Sequence, residues 1–178
     1  MPPFLQIFRD ILLLRRGPQD LPYSTQLLTM VAVASVVMQA FVAAIRFHEA
    51  SVVTLLSAIL SVALTLGALN LMLGMRRLRN RFVQSATALI GCNLVFLVVN
   101  LPFALLFPTT IESADQPSMI MLLLLPLGLA SVIWQLAVNA HVLRHSLDIP
   151  FSGGIAIVFS WAVIIAVLAY AGGAQALA

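Results

Sequence analysis

The stretch Gly74-Met75-Arg76-Arg77-Leu78-Arg79-Asn80-Arg81-Phe82 decides how this chain is read. It holds four of the nine basic residues, and the sequence on either side of it is long and apolar. Guanidinium groups need water or lipid headgroups around them. The stretch therefore reads as a cytoplasmic loop between two membrane-spanning helices, because cytoplasmic loops collect arginine.

Composition supports that reading. The 178 residues are 62% hydrophobic and 8% charged, with a mean hydropathy of +1.08. An ordinary soluble domain carries about 25% charged residues, and a soluble core of this size could not hide so much apolar surface. The formal charge is +3. Every basic residue is arginine, which points to a GC-rich bacterial genome. The arginines lie beside apolar segments, so the high pI is not read as nucleic-acid binding. Cys92 is the only cysteine, which rules out an intrachain disulfide or a cysteine metal cluster.

Working outward from the loop, apolar runs predict five spans at about 27–45, 52–74, 82–107, 119–142 and 151–171. Arg46-Phe47-His48-Glu49 closes the first, and Gly172-Gly173 is expected to end the last. The third is uncharged from Phe82 to Ile111, so Pro102 is expected to kink it and Pro108 to end it. A polar turn over 112–118 carries Glu112 and Asp115, and Pro126 is a predicted bend in the fourth span. Residues 4–16 are too short to span. Phe4, Ile7, Phe8, Ile11 and Leu12 recur at helical spacing opposite Gln6, Arg9, Asp10 and Arg16. That pattern predicts either an amphipathic helix in the membrane interface or one docked on its own chain. Gly17-Pro18-Gln19-Asp20-Leu21-Pro22 then breaks it with a rigid turn. The fold class is thus all-α, a polytopic transmembrane bundle forming one domain over 1–178.

An odd number of spans puts the two termini on opposite sides. With the N-terminus cytoplasmic and the C-terminus periplasmic, Arg9, Arg15, Arg16, Arg76, Arg77, Arg79, Arg81 and Arg144 lie inside and only Arg46 outside. That bias predicts a bacterial inner-membrane protein in this orientation.

Polar side chains within the spans need partners. Ser57, Ser61 and Thr65 share one face of the second helix, with Gly67, Asn70 and Gly74 beyond them. Asn93 and Asn100 share a face of the third, with Ala86 one heptad from Asn93. Ser131, Gln135 and Asn139 recur every four residues on the fourth. At ~1.5 Å per residue, Asn93 and Ser131 fall near the midplane, and Gln135, Asn139 and Asn70 in the inner half. These faces are expected to meet, either as interhelical hydrogen bonds or as a pocket between spans two, three and four formed by Asn70, Asn93, Ser131, Gln135 and Asn139.

Reactive constellations are weak. His141 and His145, with Asp148, have the spacing of metal ligands but lie at what reads as the frayed end of a span. Ser152-Gly153-Gly154 lacks a nucleophile-elbow frame, and Ser152 is better placed as a helix N-cap. No catalytic residue and no cofactor are expected. Arg15, Arg16, Arg76, Arg77, Arg79 and Arg81 are candidate contacts for anionic lipid headgroups.

Five spans, the segment Arg16-Gly17-Pro18-Gln19-Asp20-Leu21-Pro22-Tyr23-Ser24 and the His141-to-His145 end of the fourth span together resemble the bacterial form of the Yip (Ypt-interacting protein) family. Asp20-Leu21-Pro22-Tyr23 stands in place of the Asp-Leu-Tyr-Gly-Pro of eukaryotic members. The resemblance implies a non-enzymatic integral membrane protein, a scaffold or partner subunit. Its expected partners are the bilayer, anionic lipid, another membrane protein or a second copy. The competing reading is a small transporter or lipid-handling protein using the polar pocket.

Overall fold

The computed structural model describes residues 3–47, 52–106 and 119–175. Among them all regular structure is helical: α1 (Pro3–Leu12), α2 (Thr25–Phe47), α3 (Val52–Met75), α4 (Phe82–Leu106), α5 (Met119–Leu147) and α6 (Phe151–Gln175). Short 3-10 turns at Pro18–Asp20 and Arg79–Arg81 precede α2 and α4. Four helices are long and apolar enough to cross a membrane: Thr25–Ile45, Val52–Met75, Arg79–Leu106 and Leu122–Leu147. They coincide with the first four expected spans. The apolar stretch of α6 with described side chains, Phe151–Ile164, is shorter.

Several local expectations need correction. The first helix ends at Leu12 rather than running to Arg16. Leu14 turns left-handed at φ 59°. Its N–H bonds Ile11 O at 2.9 Å, and Arg15 N–H bonds Asp10 O at 2.8 Å. This overlapping pair is the Schellman cap, which satisfies carbonyls the helix leaves open. Arg77 (φ 59°) closes α3 the same way, with Arg77 N–H on Gly74 O and Leu78 N–H on Leu73 O. Asp148 (φ 51°) does so for α5, with Ile149 N–H on Arg144 O. Helix α5, the fourth expected span, therefore runs to Leu147, and His141 to Leu147 is packed helix, with Val142, Leu143, Ser146 and Leu147 buried. Helix α6 begins at Phe151, so Ser152 stands in its first turn and not at the cap. Gly172-Gly173 does not stop α6, which continues to Gln175. Pro102 and Pro126 lie inside α4 and α5. His48, Glu49, Pro108 and the turn 112–118 lie outside the described residues.

Helix α4 is the centre of the bundle, packed by α2, α5, α1, α3 and both 3-10 turns, while α6 packs chiefly on α5. The run 85–92 of α4 is buried on every face. Its residues explain this: Ser85, Ala86, Thr87, Ala88, Gly91 and Cys92 are small enough for neighbours to approach closely. A methyl group on Gly91 would sit 2.3 Å from the Phe8 ring, so α1 occupies the space that a side chain would fill. Gly154 likewise lets α6 approach α5, since its added Cβ would lie 2.5 Å from Ala140 O.

The N-terminal segment is docked on its own chain. Phe8 and Ile11 are buried in the core, with Ile7 and Leu12 packed against it. Three side chains of α4 and α5 donate to backbone carbonyls of this segment. Trp134 Nε1 bonds Leu12 O at 2.9 Å, His141 Nε2 bonds Arg16 O at 3.0 Å, and Gln84 Nε2 bonds Leu21 O at 2.6 Å and Gln19 O at 3.1 Å. The segment between α1 and α2 makes few backbone hydrogen bonds of its own, so these side-chain bonds help to fix its path. They also place it, the Arg76-to-Arg81 loop and the α5–α6 turn at one end of the bundle, the basic end.

Candidate functional site

Asn93 sits where the seam between α4 and α5 turns polar. Gln135 and Asn139 are four residues apart on α5, so both reach the same point on a neighbouring helix. Gln135 Nε2 donates to Asn93 Oδ1 at 3.3 Å, and Asn139 Nδ2 donates to the same oxygen at 3.0 Å. A second link joins α2 to α3: Ser61 Oγ donates to Gln39 Oε1 at 2.7 Å, and Gln39 Nε2 to Ser35 Oγ at 3.2 Å.

Two cavities flank this seam. One, of about 100 Å³, lies among α3, α4, α5 and α6, with Thr65, Asn93, Asn139 and Trp161 among its walls. The other, of about 220 Å³, is bounded by α2, α3, α4 and α5 and lined by Ser35, Gln39, Ser61, Thr65, Asn93 and Gln135 with three aliphatic residues. Thr65 and Asn93 border both. No charged side chain lines either. Asn139 Oδ1 is buried without a hydrogen-bond partner among the described residues, as is Ser131 Oγ.

The remaining intramembrane polar residues are dispersed. Asn70 is exposed on α3 and takes no part in the seam. Ser131 is buried but lines neither cavity. Ser57 Oγ donates to Thr54 O on its own helix. Asn100 belongs to a separate open cleft with Phe103 and Gly128. Ser35 and Gln39 were not anticipated as site residues. Their four-residue spacing on one face of the first span was the available signal.

At the basic end the arginines divide. Arg76 Nε donates to Leu147 O at 3.2 Å and its Nη2 to Asp148 O at 3.3 Å. Arg81 Nη1 bonds His145 O at 3.3 Å and pairs with the Asp148 carboxylate at 2.9 Å. Two cations thus cap the carboxyl end of α5, where the helix dipole is negative. Arg16 pairs with Asp10 at 3.4 Å. Arg15, Arg77 and Arg79 are exposed. The His141 and His145 rings stack edge-on with centroids 4.6 Å apart. Among the described residues no group of three or more His, Cys, Asp or Glu side chains could hold a metal ion.

Comparison with protein-family models, with curated proteins and with solved structures returns no match to this chain.

Proposed function

We propose that this chain is a five-span protein of the bacterial inner membrane, with a cytoplasmic N-terminus and a periplasmic C-terminus. It acts as a non-catalytic scaffold or partner subunit of Yip-like type. The observation carrying this reading is the gathering of arginine at one end of an apolar bundle. The loop holding Arg76, Arg77, Arg79 and Arg81, the segment holding Arg15 and Arg16, and the turn after Arg144 adjoin one another through the bonds of Arg76, Arg81 and His141. The positive-inside rule assigns such an end to the cytoplasm.

Two features support a scaffold over a reaction centre. The intramembrane amides around Asn93 bond one another across helices, the usual structural use of such groups. Arg76 and Arg81 are engaged in capping α5, which leaves Arg15, Arg77 and Arg79 for anionic headgroups or an acidic partner face. The outward side of α1 would then lie at the headgroup level, with Leu5, Leu13 and Leu14 exposed there.

Reporter fusions after Asn80 and after Ala178 test the topology. A cytoplasmic readout from the first and a periplasmic readout from the second are expected, and the same compartment for both would refute it. Purification in mild detergent tests the role: a co-purifying membrane protein or self-association is expected. A monodisperse monomer without partners would count against it.

A further inference from the structure

We infer that the outward face of α3 at the basic end binds one anionic phospholipid, its phosphate on Arg79 and its ester region on Asn70. The inference deepens the proposed function, because it rests on the basic end lying at the level of lipid headgroups. Gly67, Asn70 and Gly74 follow one another at intervals of three and four, so they share one face of the helix. That face is turned away from the buried Ala58, Val62, Leu69 and Leu73. Gly74 has no side chain, and the Arg79 guanidinium occupies the space: its Nε and Nη2 lie 3.1 and 3.2 Å from where a Cβ would stand. Arg81 turns the other way, to the Asp148 carboxylate. The 3-10 turn Arg79–Arg81 thus sends one arginine to cap α5 and lays the other, exposed, over the end of α3.

Among the described residues no ion pair or hydrogen bond engages the Arg79 guanidinium, and none engages the Asn70 carboxamide. Both are exposed. A carboxamide facing hydrocarbon needs a polar partner that acyl chains cannot supply. Asn70 lies about one turn below Gly74, ~6 Å at ~1.5 Å per residue. A glycerophospholipid carries its ester carbonyls below its phosphate in the same sense, so one molecule reaches both groups. Its acyl chain then runs past Gly67, where an added Cβ would meet nothing within 4 Å, beside the exposed Leu64 and Leu71.

Charge complementarity selects the occupant. Arg77, also exposed, adds a second cation at this end, while Asp10 and Asp148 are held by other arginines. The ammonium of a zwitterionic headgroup would meet like charge here, whereas an anionic headgroup meets the opposite sign. A second copy of this chain on the same face would bring two Arg79 guanidinium groups together across a two-fold axis. Helix α3 carries no carboxylate to compensate them.

The test uses the full chain in phosphatidylcholine nanodiscs doped with phosphatidylglycerol that carries a diazirine near the head of one acyl chain. Saturable adducts on α3 between Leu60 and Leu71 are expected. Unlabelled phosphatidylglycerol should displace them, while phosphatidylethanolamine and soluble glycerol 3-phosphate should each need at least a tenfold higher concentration. Arg79→Gln should weaken labelling at least tenfold and Asn70→Leu at least threefold, with thermal unfolding still cooperative. Arg144→Gln, which removes the same charge elsewhere on the basic end, should leave labelling unchanged. Should a variant fail to fold, the competition on the unaltered chain still decides. Equal competition by phosphatidylethanolamine or by glycerol 3-phosphate would overturn the site, as would labelling that never saturates. Equal losses from Arg144→Gln and Arg79→Gln, a folded Asn70→Leu variant that labels normally, or a disulfide joining two copies through Gly67→Cys would also overturn it. Nanodiscs present both leaflets and hold no partner protein, so failure here is distinct from failure of the topology or of the scaffold role.

Discussion

Along α4, residues 85–92 are enclosed by protein on every side, whereas Val95, Val98, Val99, Leu105 and Leu106 lie exposed further from the basic end. Both stretches are uncharged. The enclosed stretch is richer in small residues, six of its eight, with Leu89 and Ile90 the large ones buried among them. Ser, Ala, Thr, Gly and Cys admit α1, α2 and α5 to close range, while Val and Leu face outward. Helix α5 repeats the contrast, with Leu122 to Trp134 largely exposed and Val138 to Leu143 largely buried. Lipid tails are as apolar as leucine, so the distal half needs no protein cover. The basic half is the part of the bundle where packing, hydrogen bonds and helix caps must all be satisfied within the chain.

Substitutions of similar size should therefore cost very different amounts in the two halves. The largest loss is expected from Ile11→Ala, since Ile11 is 0% exposed in the core; about 2–5 kcal/mol is typical for such a cavity. Thermal unfolding in detergent would show it, and little or no change would mean that α1 does not dock. Next comes Gly154→Ala, whose methyl meets the Ala140 carbonyl 2.5 Å away. Overpacking of this kind costs about 1–3 kcal/mol, and α5 and α6 should separate, read as faster proteolysis at the intervening turn. Arg77→Gly should act in the opposite direction, raising stability by roughly 1 kcal/mol because glycine takes the left-handed cap position without steric cost. Asp148→Ala removes a pair whose carboxylate is 61% exposed; below about 1 kcal/mol is expected for such a bridge. Val98→Ala, on an exposed position of the distal half, should leave the unfolding temperature unchanged, because lipid replaces the lost contact.

Much of this was readable in advance where the signal is local. The ends of α2 and α3 lie within two residues of those expected from hydropathy and charge, because the boundary residues themselves carry the polarity. That the Asn93 face meets the face of Gln135 and Asn139 followed from four-residue spacing, whereas the depth count put Asn93 level with Ser131 instead of its actual partners. The end of α5 did not, because its last turn is held by Arg76 and Arg81, some seventy positions away in sequence. His141, Arg144 and His145 looked like a polar exit from the membrane, yet His141 is buried against the N-terminal segment. The docking of α1 depends on Gly91 lying opposite Phe8, a pairing that no periodicity within either helix announces. Ser35 and Gln39 carried a local signal equal to that of Gln135 and Asn139. Their role became visible only with Ser61 beside them.

The division of the bundle into a lipid-covered half and a protein-enclosed half is tested most directly by labelling from within the bilayer. The unmodified protein would be reconstituted with phospholipids bearing a diazirine at mid-chain, photolysed, and mapped by mass spectrometry. Adducts on α4 between Val95 and Leu106 and on α5 between Leu122 and Ile133, with none between Val83 and Cys92, are the expected result. Labelling spread evenly along α4, or concentrated on Val83 to Cys92, would contradict it.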